Sequence, residues 1–251
     1  MSAPAHSGSR VFAMLSEEEV ERTLVIAAHP DDVDFGISGT VATWTDAGVD
    51  VSYCIVTDGD AGGFDPDVPR ADIPDIRRAE QIAAAKVVGV TDVAFLGYPD
   101  GRLEASFDLR RDISRVIRRV RPDRVALPSP ERLWERIYAS HPDHLAAGAA
   151  AMAAVYPDAR NPFTFPELLA EGLEAHTARE VWVMAHPTRN RFVDITDTID
   201  RKLDALRSHE SQMPGIDDLD DRIHDWAQMI AIEGGLGEDR YAEGFYVLDT
   251  S

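Results

Sequence analysis

The sequence predicts a single-domain α/β fold: a Rossmann-like, mostly parallel sheet with helices on both faces. Short apolar runs rich in strand-forming residues alternate with helical segments, as expected for right-handed βαβ units. The chain has 251 residues, enough for one such domain with a substantial core. It contains no internal repeat, low-complexity segment or linker that would divide it. We expect one domain at 21–251, preceded by a partly disordered N-terminal arm at 1–20.

Six apolar segments are predicted as strands because they are short and rich in Val, Ile, Leu and aromatic residues. In chain order they cover 23–28, 49–57, 92–96, 124–127, 181–185 and 241–248. The first of them, Thr-Leu-Val-Ile-Ala-Ala, carries no charge and is typical of a buried strand.

The segments between and after the strands are predicted as helices, most of them ended by a glycine or a proline. They cover 35–47, 76–88, 109–120, 145–155, 196–213 and 217–232. The stop signals are Gly48, Gly89, Pro122, Pro157 and the pair Pro214-Gly215.

Composition excludes several classes of partner and site. Lys and Arg total 25 and Asp and Glu total 45, which gives a net charge of −20. Such a surface repels nucleic acids and anionic membranes. The single cysteine, Cys54, rules out an intrachain disulfide and any multi-cysteine metal site. There is no targeting signal and no run near the roughly 20 apolar residues of a membrane span, so we expect a cytoplasmic protein.

Two similar segments follow predicted strands. The first strand ends in His29-Pro-Asp31-Asp32, and the fourth leads through a loop to His141-Pro-Asp143-His144. In a parallel sheet, ligands bind where strands end at their carboxyl edge. Imidazole nitrogens and carboxylate oxygens are the ligands that Zn²⁺ accepts when no thiolate is available.

The spacing within these segments suits a catalytic metal. His29 and Asp32 are three residues apart on a turn stiffened by Pro30, and His141 and His144 are three apart at a helix start. A catalytic zinc takes three protein ligands, so six candidates leave a carboxylate and a histidine for acid–base work.

Two plainer interpretations compete with a catalytic site. A single His-Pro-Asp is also a common turn in which the aspartate caps a helix. The same residues also suit a purely structural metal. The occurrence of two such segments at strand exits of one sheet favours a functional site over both.

With these motifs in place, the chain resembles the PIG-L/LmbE-like de-N-acetylase family from about residue 22 to residue 213. Six segments carry the resemblance: Ala28-His-Pro-Asp-Asp32, Thr57-Asp-Gly-Asp-Ala-Gly-Gly63, Arg77-Arg-Ala-Glu80, Phe95-Leu-Gly-Tyr-Pro-Asp-Gly101, His141-Pro-Asp-His144 and His209-Glu-Ser-Gln212. Their order and number are specific for the family but not for a substrate.

The resemblance implies a role for each residue of the two His-Pro-Asp segments. His29, Asp32 and His144 would hold one Zn²⁺ ion, with other divalent ions as alternatives. Asp31 would be the general base, and His141 would stabilise the oxyanion or protonate the leaving amine.

Three further roles come from the same resemblance. Asp143 would orient and polarise His141. Arg77 and Asp100 would bind hydroxyl groups of the sugar, although Arg77 also suits a helix-surface pair with Glu80. For His209 we expect a helix-to-loop hydrogen bond rather than a metal role.

The predicted function is zinc-dependent removal of an N-acetyl group from an N-acetylglucosamine-type sugar or glycoconjugate, in secondary or thiol-cofactor metabolism. The alternatives are an amidase on a larger acyl or thiol conjugate, and a metal-retaining subunit without catalysis. A dinucleotide-binding oxidoreductase would need a Gly-x-Gly-x-x-Gly turn where His-Pro-Asp-Asp stands.

Other features are left open by the sequence. Substrate specificity is expected from the segments 65–75 and 157–174 and from the chain after Pro214. Seven arginines between Arg110 and Arg124 are typical of a solvated face paired with acids or of a contact between subunits of a homo-oligomer.

Overall fold

A computed structural model of the chain describes residues 14–213 and 218–251. Within them, seven strands form one sheet in the order β3-β2-β1-β4-β5-β7-β6. The strands are β1 (Arg22–Ala27), β2 (Asp50–Thr57), β3 (Asp92–Tyr98), β4 (Arg124–Pro128), β5 (Glu180–Met184), β6 (Arg191–Asp194) and β7 (Ala242–Asp249). Strands β1 to β5 are parallel to one another, and β7 is antiparallel to both β5 and β6. The predicted single α/β domain with a mostly parallel sheet is confirmed.

Eight α-helices connect or cover these strands in the described part of the chain. They are α1 (Asp32–Gly36), α2 (Ser38–Asp46), α3 (Ile73–Val87), α4 (Phe107–Val120), α5 (Pro142–Ala153), α6 (Pro166–Ala170), α7 (Ile199–Arg207) and α8 (Leu219–Glu233). Helices α2, α3 and α7 contribute to the core on one face of the sheet, and α4 and α5 to the core on the other. Helix α8 packs on β6 and β7.

The six predicted strands match observed strands to within two residues at each end. Five of them contain buried residues, whereas β3 contains none and is marked only by its apolar composition. Strand β6 was missed. It has only four residues, Arg-Phe-Val-Asp, none of them fully buried, and it pairs only with β7.

Two predicted helices are wrong in extent. The helix expected at 35–47 begins at Asp32 and is broken at Ile37, whose φ is −150°. The break frees the amides of Gly39 and Thr40, and both donate to the carboxylate of Glu243. A carboxylate 200 residues away in the sequence therefore replaces helical carbonyls, which no local pattern reveals.

The helix expected at 196–213 is shorter than predicted. Helix α7 ends at Arg207, and Glu210–Gln212 form a separate 3₁₀ turn. Ser211 donates to Glu80 through both its amide and its hydroxyl, so helix α3 fixes the new direction of the chain. The predicted stop at Pro214-Gly215 and the helix start at Asp217 lie outside the described residues.

The N-terminal arm is packed against the domain where it is described. Val20 is buried in the core, and Glu17–Glu19 form a 3₁₀ turn. Glu17 pairs with the buried Arg124, and the amide of Leu15 donates to Glu180. Residues 14–20 thus contribute contacts to the domain, while 1–13 lie outside the described residues.

Candidate active site

The strand order places the two His-Pro-Asp segments side by side. Strands β1 and β4 are neighbours in the sheet. From β1 the chain continues to β2 on one side, and from β4 it continues to β5 on the other side. This is the topological switch point, where α/β proteins open a crevice at the carboxyl edge. His29 follows β1 directly. His141 caps the start of α5, after the 3₁₀ segment Trp134–Ser140 that follows β4.

The predicted metal ligands form a compact triangle. Asp32 Oδ2 lies 3.3 Å from His29 Nδ1, and Asp32 Oδ1 lies 3.0 Å from His144 Nε2. The two imidazole nitrogens are 3.3 Å apart. Ligands about 2.0–2.1 Å from a tetrahedral Zn²⁺ are separated by about 3.3 Å. The distances between these side chains are close to that value, with Asp32 contacting the two rings through different oxygens.

The outer nitrogens of both rings are also fixed. His144 Nδ1 lies 3.2 Å from the carbonyl of Ala139, and His29 Nε2 lies 3.0 Å from Asp100 and 3.3 Å from Asp143. In the neutral tautomers that donate to these contacts, His29 Nδ1 and His144 Nε2 carry no proton and can bind a metal ion. Acceptors behind the ligand histidines are what tune and orient a metal site.

The carboxylates make the site strongly negative without a cation. Burial alone would lower the pKa of His29, but Asp32, Asp100 and Asp143 raise it to about 12. Burial alone would raise the pKa of Asp32, but His144 and His29 hold it well below its ordinary value. A divalent cation would take the place of these ring protons.

Other ligand sets overlap with the triangle. In one set, ring nitrogens of His29, His141 and His144 lie within 4.8 Å of one another. In a second set, the ligand atoms of His29, Asp100 and Asp143 lie within the same distance of one another. Both sets share His29. The region is thus a cluster that could bind a metal, and distances of 3.0–3.3 Å occur both in the predicted triangle and between His29 and the carboxylates of Asp100 and Asp143.

Asp31 lies beside the triangle in an unusual conformation. Its φ is +95°, in the left-handed region that non-glycine residues rarely adopt. Burial and the charge of Asp32 raise its pKa to about 6, against the opposing effect of Arg77. A carboxylate with such a pKa is suited to accept a proton near neutral pH.

Arg77 is turned toward the protein. Its side chain is only 4% exposed, and it donates to the carbonyls of Pro30 and Gly59 and, over 3.0 Å, to Asp31 Oδ2. The alternative pair with Glu80 is not formed, and Glu80 accepts from Ser211 instead. Arg77 contacts the predicted base, and its binding of the sugar stays a prediction.

The carboxylate of Asp143 does not contact His141, the residue that it was predicted to orient. It accepts from the amides of Gly101 and Leu103 and lies against His29. Its link to His141 is through the backbone: the Asp143 amide donates to His141 Nδ1. The contact between Asp143 and His141 is therefore made by a backbone N–H at the start of α5, and the orienting role of the Asp143 carboxylate stays a prediction.

Asp100, predicted to bind the sugar, lies on the inner side of the site. Its carboxylate contacts His29 Nε2, and its side chain is only 10% exposed. The amide of Asp100 donates to Asp60 in the loop after β2. The structure thus places Asp100 behind a predicted metal ligand, where little of it faces solvent, and its binding of the sugar stays a prediction.

Three buried residues near Asp31 were not predicted to belong to the site. Gln81 accepts from the amide of Asp31 and donates to Asp34, which also contacts His209 at 2.8 Å. His209, expected on a helix and bonded to a loop, lies after the end of α7, and its partner Asp34 lies on α1. Gln81 directly follows the Arg77-Arg-Ala-Glu80 motif, so its position was the one available signal.

A cavity of about 760 Å³ opens next to the predicted metal ligands. Its lining includes Asp32 and His144 together with apolar residues of α8, among them Ile223, Trp226 and Met229. Arg136 stacks on Trp226 with its guanidinium carbon 4.4 Å from the ring centre. The cavity is large enough for a ligand of several hundred daltons.

Residues 24–155 match the family model described as GlcNAc-PI de-N-acetylase, PIG-L. The chain is 36% identical over 227 residues to diacetylchitobiose deacetylase of Thermococcus kodakarensis, covering 90% of this chain and 82% of that protein. The chain belongs to the PIG-L family.

Two further comparisons place this PIG-L protein among its relatives. A Bacillus cereus protein named probable N-acetyl-alpha-D-glucosaminyl L-malate deacetylase 2 is 33% identical, over 75% of this chain and 82% of that protein. The structure of N,N'-diacetylchitobiose deacetylase from Pyrococcus horikoshii has a TM-score of 0.82 and 32% identity, covering 92% of this chain and 85% of that one. The PIG-L resemblance expected from the motifs is confirmed.

The described residues contain no helix that is both long and apolar enough to span a membrane.

Proposed function

We propose that this PIG-L protein is a zinc-dependent de-N-acetylase acting on an N-acetylglucosamine-type glycoside. The observation that carries the proposal is the triangle of His29, Asp32 and His144 with the predicted base, Asp31, beside it. The names of the relatives, which are deacetylases of acetylated amino sugars, support the same reaction class.

The metal would be held by His29 Nδ1, Asp32 and His144 Nε2, one ion per chain. When bound, it supplies Lewis acidity for the amide carbonyl and lowers the pKa of water toward neutrality. Among the ions that accept two imidazoles and one carboxylate, zinc suits the tetrahedral spacing.

Asp31 would act as the general base. Arg77 donates to Oδ2, so Oδ1 is available to take a proton from the attacking water. The hydroxyl adds to the acyl carbon, the C–N bond breaks, and the acyl group leaves as acetic acid, which then loses its proton to solvent. The amine then needs one proton, which Asp31 holds and can return.

His141 would stabilise the oxyanion. Its Nδ1 accepts from the Asp143 amide, so a neutral ring carries its proton on Nε2. Burial and the nearby His29 lower the pKa of His141, which keeps the ring neutral at pH 7. A neutral donor at this place can hydrogen-bond the developing charge.

The test is a release assay with a panel of substrates. Purified protein is stripped with a chelator, reloaded with one equivalent of Zn²⁺, and offered N-acetylglucosamine, its methyl glycoside, diacetylchitobiose and N-acetylglucosaminyl malate. We expect equal amounts of free amine and acetate from at least one glycoside, only with metal present. N-butyryl versions of the same sugars test the amidase alternative, and no amine from any member by the fully loaded protein would refute the proposal.

A further inference from the structure

The predicted base is held in a conformation that costs energy. A non-glycine residue with a φ of +95° is destabilised relative to one in an ordinary conformation. Such a residue persists only if neighbouring groups hold it in place. In this structure two side chains of helix α3 do so, and both are buried.

Arg77 and Gln81 are four residues apart, so they project from the same face of α3. Arg77 donates to the carbonyl of Pro30 and to the carboxylate of Asp31. The Gln81 carbonyl accepts from the amide of Asp31 over 2.9 Å. Side chains of α3 thus form hydrogen bonds with both the carbonyl and the N–H of the Pro30–Asp31 peptide, and also with the Asp31 carboxylate.

Gln81 is itself held by residues from two distant parts of the chain. Its amide nitrogen donates to Asp34 Oδ2 over 3.0 Å, and the same oxygen lies 2.8 Å from His209 Nε2. Gln81, Asp34 and His209 are all fully buried. Because Asp34 fixes the side-chain NH2 group of Gln81, the side-chain oxygen Oε1 of Gln81 is directed toward the amide of Asp31.

We propose that Arg77, Gln81 and His209 are positioning residues for the general base, with Asp34 as the link between His209 and Gln81. This inference rests on the proposed function, because it assumes that Asp31 is the base. Displacing a reacting group by about 1 Å can cost 10²-fold in rate. The network therefore sets kcat through the place of the Asp31 carboxylate, without touching the substrate.

The test uses Gln81→Met, which keeps the length of the side chain and removes its hydrogen bonds. His209→Gln keeps a donor for Asp34, whereas His209→Leu removes it. Arg201→Gln is the control, since Arg201 lies on α7 and pairs with Asp46 away from the site. The measurements are kcat, KM, bound zinc and hydrogen exchange of the amide of Asp31.

We expect kcat to fall about 10²-fold in Gln81→Met and less in His209→Leu, with KM and zinc content close to those of the unmodified protein. The Asp31 amide should exchange faster in both variants. His209→Gln should restore most of the rate, and Arg201→Gln should change nothing. A parallel loss of zinc and rate in Gln81→Met, or an unchanged kcat, would overturn the proposal.

Asp31→Asn in the same assay separates this inference from the proposed function. If Asp31→Asn is inactive and Gln81→Met is fully active, only the positioning role is wrong. If Asp31→Asn retains full activity, the assignment of the base fails.

Discussion

Gly59 and Arg77 pack so closely that a Cβ atom on Gly59 would lie 2.3 Å from Nη1 of Arg77. A Cβ on Gly62 would lie 2.6 Å from the same nitrogen. The glycines of the loop after β2 thus leave room for the guanidinium that reaches Asp31. This explains why a glycine-rich loop accompanies the first His-Pro-Asp segment, since any larger residue would displace Arg77.

Gly59→Ala is expected to lower both stability and activity. The φ of Gly59 is +62°, and a side chain there costs about 1–2 kcal/mol before any clash with Arg77. Gly48→Ala is the matched control, because Gly48 has a φ of +88° and nothing within 4 Å of a new Cβ. Urea unfolding should show a loss in both variants, and kcat should fall only in Gly59→Ala. An equal kcat in the two would show that Arg77 does not depend on the glycine.

Asp31→Asn should lower kcat by about 10²–10⁴-fold, the usual contribution of a general base. The asparagine keeps the shape of the side chain and the metal ligands are untouched, so bound zinc should stay at one equivalent per chain. Metal analysis beside steady-state kinetics checks both expectations. Loss of the metal from this variant would instead make Asp31 a ligand.

His144→Ala should remove the metal. The substitution leaves His29 and Asp32 without the third predicted ligand, and it removes the imidazole that contacts the carboxylate of Asp32. Atomic absorption after dialysis gives the metal content. His186→Ala serves as the control, because His186 also follows a strand but contacts Thr188 and stacks on Tyr246. Stoichiometric zinc in His144→Ala would contradict the ligand assignment.

His209 should make stability depend on pH. Burial alone lowers its pKa, but the hydrogen bond and charge of Asp34 raise it above the ordinary 6.5. The folded protein therefore binds this proton more tightly than the unfolded chain does. The contribution to stability is fully present below about pH 6.5 and is lost as the pH rises through the folded-state pKa.

The measurement for this prediction is the difference in Tm between the unmodified protein and His209→Gln from pH 5 to pH 9. We expect the difference to be largest at acidic pH and to shrink as the pH rises. A difference that stays constant over the whole range would mean that His209 does not change its protonation on folding.

Local patterns in the sequence determined much of the fold. Six of the seven described strands were predicted, because they are short apolar segments bounded by turn residues. The break at Ile37 and the short strand β6 were not, because both depend on partners far along the chain, Glu243 and β7.

The sequence by itself also determined the chemical composition of the site: which residues carry nitrogen and oxygen ligands, and that they follow strands at one edge. Only the tertiary structure decided how they are used. The Asp143 carboxylate and Asp100 face His29, and Arg77 faces Asp31, because sheet order and helix packing set these distances. His209, from the end of the chain, supports Gln81 across 128 residues of sequence for the same reason. Spacing along the chain fixes which side chains share a turn or a helix face, whereas contacts between elements follow from how the core packs.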